Sequence, residues 1–274
     1  MLSRIIVALI GIPIVLYTLF SGGLLLLFFV NIIIGFALYE YYKMAETGGE
    51  KPYKALGMAF GIAIPNAVYC IMKGYIPMNL SEIIGIFVLV TIGYSVFTKK
   101  ISGSNKNIGI TLLGVMYISV LFSHMLLISD LPNGGKWLIT LIVMVWICDS
   151  FAYFVGMSMG RKLFPSGLTE ISPKKSKEGA IGGTIFTIIA FCLLEKYFKV
   201  TAGKMSFFTM IIFGLVISIV AQIGDLGESL FKRDFKVKDS DNILKGHGGI
   251  LDRFDSLLFV VPVAYYILRY LVYA

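Results

Sequence analysis

Nine continuous apolar runs, each about 16 to 22 residues long, decide what this chain can become. They lie at about 5–21, 22–42, 55–72, 82–98, 107–128, 137–157, 180–195, 206–224 and 256–273. Wound as helices at about 1.5 Å per residue, such runs are long enough to cross a hydrocarbon core of roughly 30 Å. Apolar residues follow one another without alternation, which argues against the strands of a membrane barrel. In lipid every backbone N–H and C=O must find its partner inside the segment, and a helix provides that. The expectation is an all-α, polytopic membrane bundle of about nine transmembrane helices. Charged residues make up only 15% of the chain, against about a quarter in soluble domains. The first run follows Arg4 and ends in Ser21-Gly22-Gly23, much as a secretory signal does. With eight runs behind it, an uncleaved first helix is the better reading.

Nine spans put the termini on opposite sides, and the positive-inside rule selects the orientation. With the N-terminus in the cytoplasm, 18 of the 24 Lys and Arg residues fall on the inside. The net charge of +8 then belongs to the membrane surface, and no nucleic-acid partner is expected. The chain divides into residues 1–128, holding the first five helices, and residues 129–274, a catalytic region. Two long polar loops in that region, 158–179 and 225–255, open on the cytoplasm. Cys70, Cys148 and Cys192 all sit inside apolar runs at no metal-ligand spacing, as inert buried thiols do.

The second of those loops is the chemical centre of the sequence. Between Gln222 and Ser256 the chain carries Asp225, Glu228, Asp234, Asp239, Asp241, Asp252 and Asp255, together with Lys232, Arg233, Lys236, Lys238, Lys245 and Arg253. It also carries the run Gly246-His247-Gly248-Gly249. A connector between two helices needs none of this. Carboxylates that hold a hard cation, cations that hold phosphates and glycines that let backbone approach a ligand suit phosphoryl or nucleotidyl transfer. In the first loop, Pro173 disfavours helix at Ser172, so a helix is expected to start near Lys174. Its N-terminal amides with Lys174, Lys175 and Lys177 make an anion site, or equally a positive-inside anchor. Gly179, Gly182 and Gly183 are read as close-packing positions. Asp149 lies eight residues before the end of its span and should face a polar cavity or a partner such as a lysine. Asn31 and Asn66 are read as an interhelical hydrogen-bonding set.

These blocks resemble the phosphatidate cytidylyltransferases (CDP-diacylglycerol synthases). The family's long motif is matched by Ser229, Lys232, Arg233, Lys238, Asp239, His247, Gly248, Gly249, Asp252, Arg253 and Asp255. Two further blocks are matched by Asp149-x-x-Ala152-Tyr153-x-x-Gly156 and by Ser172-Pro173-Lys174-Lys175-x-x-Glu178-Gly179, and Gly224-Asp225 also fits. The chain departs from the family's usual residues at Asp241, Lys245 and Lys177. The resemblance covers about residues 149 to 256.

The resemblance implies that CTP and phosphatidate give CDP-diacylglycerol and pyrophosphate, in a bacterial cell (inner) membrane, with Mg²⁺ as cofactor. Two anions must meet in that reaction, so charge neutralisation is the central task. Asp225 and Asp252, at the mouths of two spans, are the chosen metal carboxylates, with Asp255 and Asp149 next. Lys232, Arg233 and Lys238 would neutralise the triphosphate. Lys174 and Lys175, with Ser172, Glu178, Ser229, Asp239 and Arg253 around them, would serve substrate binding. His247 would donate to a phosphate. Gly248 and Gly249 would let amides approach the nucleotide. Acyl chains stay among membrane lipids, so a groove open sideways to lipid is expected, and a homodimer is left open. Two other readings compete: a CTP-dependent kinase of a lipid alcohol, and a transporter, which should carry charge at midplane in several helices.

Overall fold

The computed structural model describes residues 2–98, 101–240 and 248–273, with the backbone alone for 2–10 and 12. Helix follows helix. α1 (Leu2–Ser21), α2 (Gly23–Thr47), α3 (Lys54–Met72) and α4 (Leu80–Phe97) come first. A fifth rod joins α5 (Ser104–Gly114), a π-helical turn (Val115–Val120) and α6 (Leu121–Ser129). α7 (Gly134–Met159), α8 (Lys177–Phe198), α9 (Phe207–Asp234) and α10 (Leu251–Ile267) complete the bundle, the last continuing as a π-helical turn (Leu268–Val272). Eight of these rods are long and apolar enough to cross a membrane, and α1 packs beside α7 and α2. Among the described residues there is no strand, only one antiparallel bridge between Gly167 and Ser176.

Two helix boundaries differ from the sequence reading. α8 begins at Lys177 rather than near Lys174, because Ser176 takes the capping position and accepts from the Gly179 amide at 3.1 Å. A serine hydroxyl placed there satisfies one of the four N–H groups that a helix start leaves open. The larger difference is α9, which does not end near residue 224 but runs through to Asp234. Its continuation is amphipathic: Asp225, Glu228 and Lys232 recur at helical spacing on one face. The expected loop 225–255 is therefore helix for its first ten residues.

Small residues set the helix spacing. A Cβ at Gly179 would lie 2.6 Å from the Ala152 carbonyl, and one at Gly183 would lie 2.8 Å from that of Cys148, so α7 and α8 approach almost backbone to backbone. Gly224 does the same for α9 and α10, where a Cβ would sit 2.8 Å from the Asp255 carbonyl. Asn66 donates to Asn31 at 3.0 Å, tying α3 to α2 as expected. The three cysteines are free.

The interhelical segments gather at two ends. At one end Gly48 abuts Phe235, Glu50 pairs with Lys106, and the segment 160–176 lies beside the cleft described next. At the other end Lys73 pairs with Asp130, Asn133 bonds the Val200 carbonyl, and Trp137 donates to the Tyr273 hydroxyl.

Candidate active site

α7, α8 and α9 enclose a cleft of about 450 Å³. Asp149, Tyr153 and Gly156 from α7, Ser172, Lys174 and Lys175 from the connecting segment, and Gln222 and Asp225 from α9 line it. Lys175 forms an ion pair with Asp225, both about one-third exposed. Asp149 opens into the same space, so the residue read as needing a polar cavity has one. Gln222 donates to the Ala180 carbonyl at 3.3 Å and to Thr184 at 3.1 Å, closing the inner end. Leu168, Ala180 and Gln222 also belong to an apolar groove of about 430 Å³ running down between α8 and α9, past Ile181, Ile185, Leu215 and Ile219. The cleft that carries Asp149, Lys174, Lys175 and Asp225 thus opens directly onto an apolar furrow. A larger cavity of about 670 Å³ near Ser95 and Asn105 is lined by one cation and no carboxylate.

The first connecting segment is braced from within. Glu178, buried in the first turn of α8, accepts from the Leu163 amide at 2.9 Å and the Phe164 amide at 2.8 Å. Arg161 donates to the Pro173 carbonyl. Lys177 lies over the Phe164 ring at 5.9 Å. Glu178 is thus held by backbone, whereas Ser172, Lys174 and Lys175 line the cleft.

A second polar assembly sits where α9 and α10 leave the bundle. Lys232 bridges two carboxylates, Glu228 at 2.5 Å and Asp252 at 2.6 Å. The other oxygen of Asp252 accepts from the Gly249 amide at 2.8 Å, the Ser240 hydroxyl at 2.8 Å and the Ser240 amide at 3.3 Å. Gly248 has φ +75°, in the left-handed region, and a Cβ there would come within 2.9 Å of the same carboxylate oxygen. That glycine is required on both counts. Asp255, three residues on, is buried. Asp225 and Asp149 both lie within electrostatic reach of it.

Lys238, Asp239 and Arg253 are exposed nearby, and Ser229 is half-buried on α9. Arg233 reaches from α9 to the Ile171 carbonyl at 3.5 Å, beside the cleft mouth. His247 lies outside the described residues, with Asp241, Lys245 and Gly246. Among the described residues no three His, Cys, Asp or Glu side chains converge into a metal cage. Mg²⁺ does not require one: it takes one or two carboxylates and completes its shell with phosphate oxygens and water. Asp225, accessible in the cleft between Asp149 and Asp255, fits that need.

Sequence reasoning missed Glu40. This α2 carboxylate is fully buried and reaches Ser240 and the start of α10. The signal was present, since Leu38-Tyr39-Glu40-Tyr41-Tyr42 puts an acid inside an apolar run, the criterion that singled out Asp149.

Cations paired with carboxylates in and beside this cleft, next to an apolar furrow in a bundle of membrane-length helices, define an integral membrane protein equipped for anionic ligands. A sequence profile described as the cytidylyltransferase family matches residues 2–271, and the chain belongs to that family. It is 40% identical over 184 residues to a phosphatidate cytidylyltransferase of Bacillus subtilis, covering 66% of this chain and 65% of that protein. Phosphatidate cytidylyltransferases of Staphylococcus epidermidis and Staphylococcus aureus are 32% and 33% identical, each match covering 95% of this chain and 96% of theirs.

Proposed function

We propose that this protein transfers the cytidylyl group of CTP to phosphatidate, leaving CDP-diacylglycerol in the membrane and releasing pyrophosphate. The observation that carries this reading is the junction of the charged cleft with the apolar furrow, which joins a headgroup site to a place for acyl chains. A phosphate oxygen of phosphatidate attacks the α-phosphorus of CTP, and the bond to the bridging oxygen of pyrophosphate breaks. The attacking phosphate is already ionised near neutral pH, so no general base is needed.

The cations and carboxylates neutralise one another: Lys175 holds Asp225, and Lys232 holds Glu228 and Asp252. Substrate binding exchanges these partners. Lys175, with Lys174, turns to the lipid phosphate, while Lys232 and Arg233, with Lys238, turn to the triphosphate. Asp225 and Asp255, joined by Asp252 once Lys232 has turned, would hold Mg²⁺, which supplies charge neutralisation to the triphosphate.

The test is purified protein with labelled CTP and phosphatidate, scoring pyrophosphate and CDP-diacylglycerol. Release of CDP with a phosphorylated lipid alcohol would replace this reading with a kinase. The charge bias favours the cleft facing the cytoplasm in a bacterial inner membrane. Cysteines at the exposed positions Lys162 and Asp239 should then label from the cytoplasm and one at Lys204 from outside. The reverse pattern would invert the assignment.

A further inference from the structure

We propose that Glu40, on the second helix, is a positioning residue for the transfer reaction, acting through Ser240 and Asp252. It rests on the function proposed above. Glu40 stands in the middle of a buried relay. One carboxylate oxygen accepts from the Ile250 amide at 2.8 Å, and the other accepts from the Leu251 amide at 2.8 Å and the Ser240 hydroxyl at 3.1 Å. The start of α10 has no side-chain cap of its own. A carboxylate from α2 caps it instead, more than 200 residues away in the chain.

The chemistry of the relay gives this cap a second task. The Ser240 hydroxyl has one proton and faces two carboxylates, Glu40 and Asp252, so it serves one at a time. Asp252 in turn holds Lys232. Gly249 packs into the same contact, where any Cβ would collide with the Ser240 hydroxyl and the Glu40 carboxylate. Glu40 therefore sets the position of the first turn of α10 and the lateral hold on Asp252. Those are the two quantities that decide where the Asp252–Lys232 pair stands relative to the cleft. A bland bracing role would need only the two backbone contacts. Glutamine at position 40 has one acceptor oxygen and one N–H₂, so it would point a donor at an amide that is itself a donor.

The experiment compares Glu40→Gln, Ser240→Ala and the double variant as full-length reconstituted protein with CTP and phosphatidate, normalised to folded protein. The control is Glu195→Gln at the far end. That buried carboxylate also accepts from backbone, at the Thr201 amide, and touches neither the cleft nor the relay. Positioning predicts that Glu40→Gln lowers kcat by about 10-fold or more with KM for CTP within about twofold. It predicts that Ser240→Ala lowers kcat by a smaller factor, and that the double variant loses less than the product of the two, since both act through Asp252. Glu195→Gln should lower the melting temperature and leave kcat unchanged. The proposal is overturned if Glu40→Gln lowers the melting temperature while kcat stays at the wild-type value, or if the two losses simply multiply. Should Glu40→Gln fail to insert, Ser240→Ala decides alone, and wild-type kcat in that variant rejects the relay. If no variant makes CDP-diacylglycerol and the wild-type protein does not either, the fault lies with the function and not with Glu40.

Discussion

The two ends of this bundle use similar polar parts for different ends. At the far end, each charged or polar group meets one or two partners: Glu195 caps Thr201, Lys136 reaches the Phe198 carbonyl, and Trp137 donates to Tyr273. These are terminal contacts that finish a helix. At the cleft end, Lys232 bridges two acids and Asp252 takes four donors, while Lys175 and Asp225 hold each other at the cleft wall. The second pattern leaves strong donors and acceptors paired with one another where an anionic ligand can exchange them. A group that merely terminates structure can be replaced at a stability cost. A group held in reserve is tested by turnover.

The largest effects should therefore fall at the cleft. Asp225→Asn should leave a folded, membrane-inserted protein and reduce turnover by on the order of 10²–10³-fold or more, as the loss of a charged group at the reaction centre does. Near-normal turnover at ordinary Mg²⁺ would remove Asp225 from the metal, leaving it to Asp255, Asp252 and Asp149, and break the contrast between the two ends. A middle-sized effect is expected at Arg233. Arg233→Lys keeps the charge but loses the planar two-donor fork, and kcat/KM should fall about 10-fold, corresponding to roughly 1.4 kcal/mol in the transition state. Unchanged kinetics would reassign Arg233 to the membrane surface, where a basic residue is worth roughly 1 kcal/mol. The smallest effect is expected at the far end. Trp137→Phe removes the hydrogen bond to Tyr273 and should cost about 1 kcal/mol of stability without altering kcat, as read by thermal unfolding and initial rates.

The bundle was legible because continuous apolar runs have no other home, and the nine runs coincide with nine helical rods among the described residues. Boundaries were less legible. The stretch after Gly224 reads as a charged loop in composition, yet Glu228 and Lys232 pair at i,i+4 and keep α9 winding to Asp234. Composition records the charge but not the face on which it lies. Nothing in the basic segment singles out Ser176, although its hydroxyl decides where α8 starts. At the site, the grouping of Asp149, Lys174, Lys175 and Asp225 in one cleft could be foreseen only through the family resemblance, because three separate elements supply them. Glu40 escaped for a related reason: its partners lie some 200 residues away, so nothing near it in sequence announced what it does.

The length of α9 has a consequence for where the chemistry happens. Its 28 residues measure about 42 Å along the axis at 1.5 Å per residue, against about 30 Å of hydrocarbon. A helix that starts flush with one face of the bilayer overshoots the other by about two turns, and those turns carry Glu228, Lys232 and Arg233. The rod acts as a depth gauge. With the proposed function, its last cations would stand at the level of the lipid headgroups, where a water-borne triphosphate need not enter oil and a lipid phosphate need not leave its leaflet. Each reactant travels only to the boundary of its own solvent.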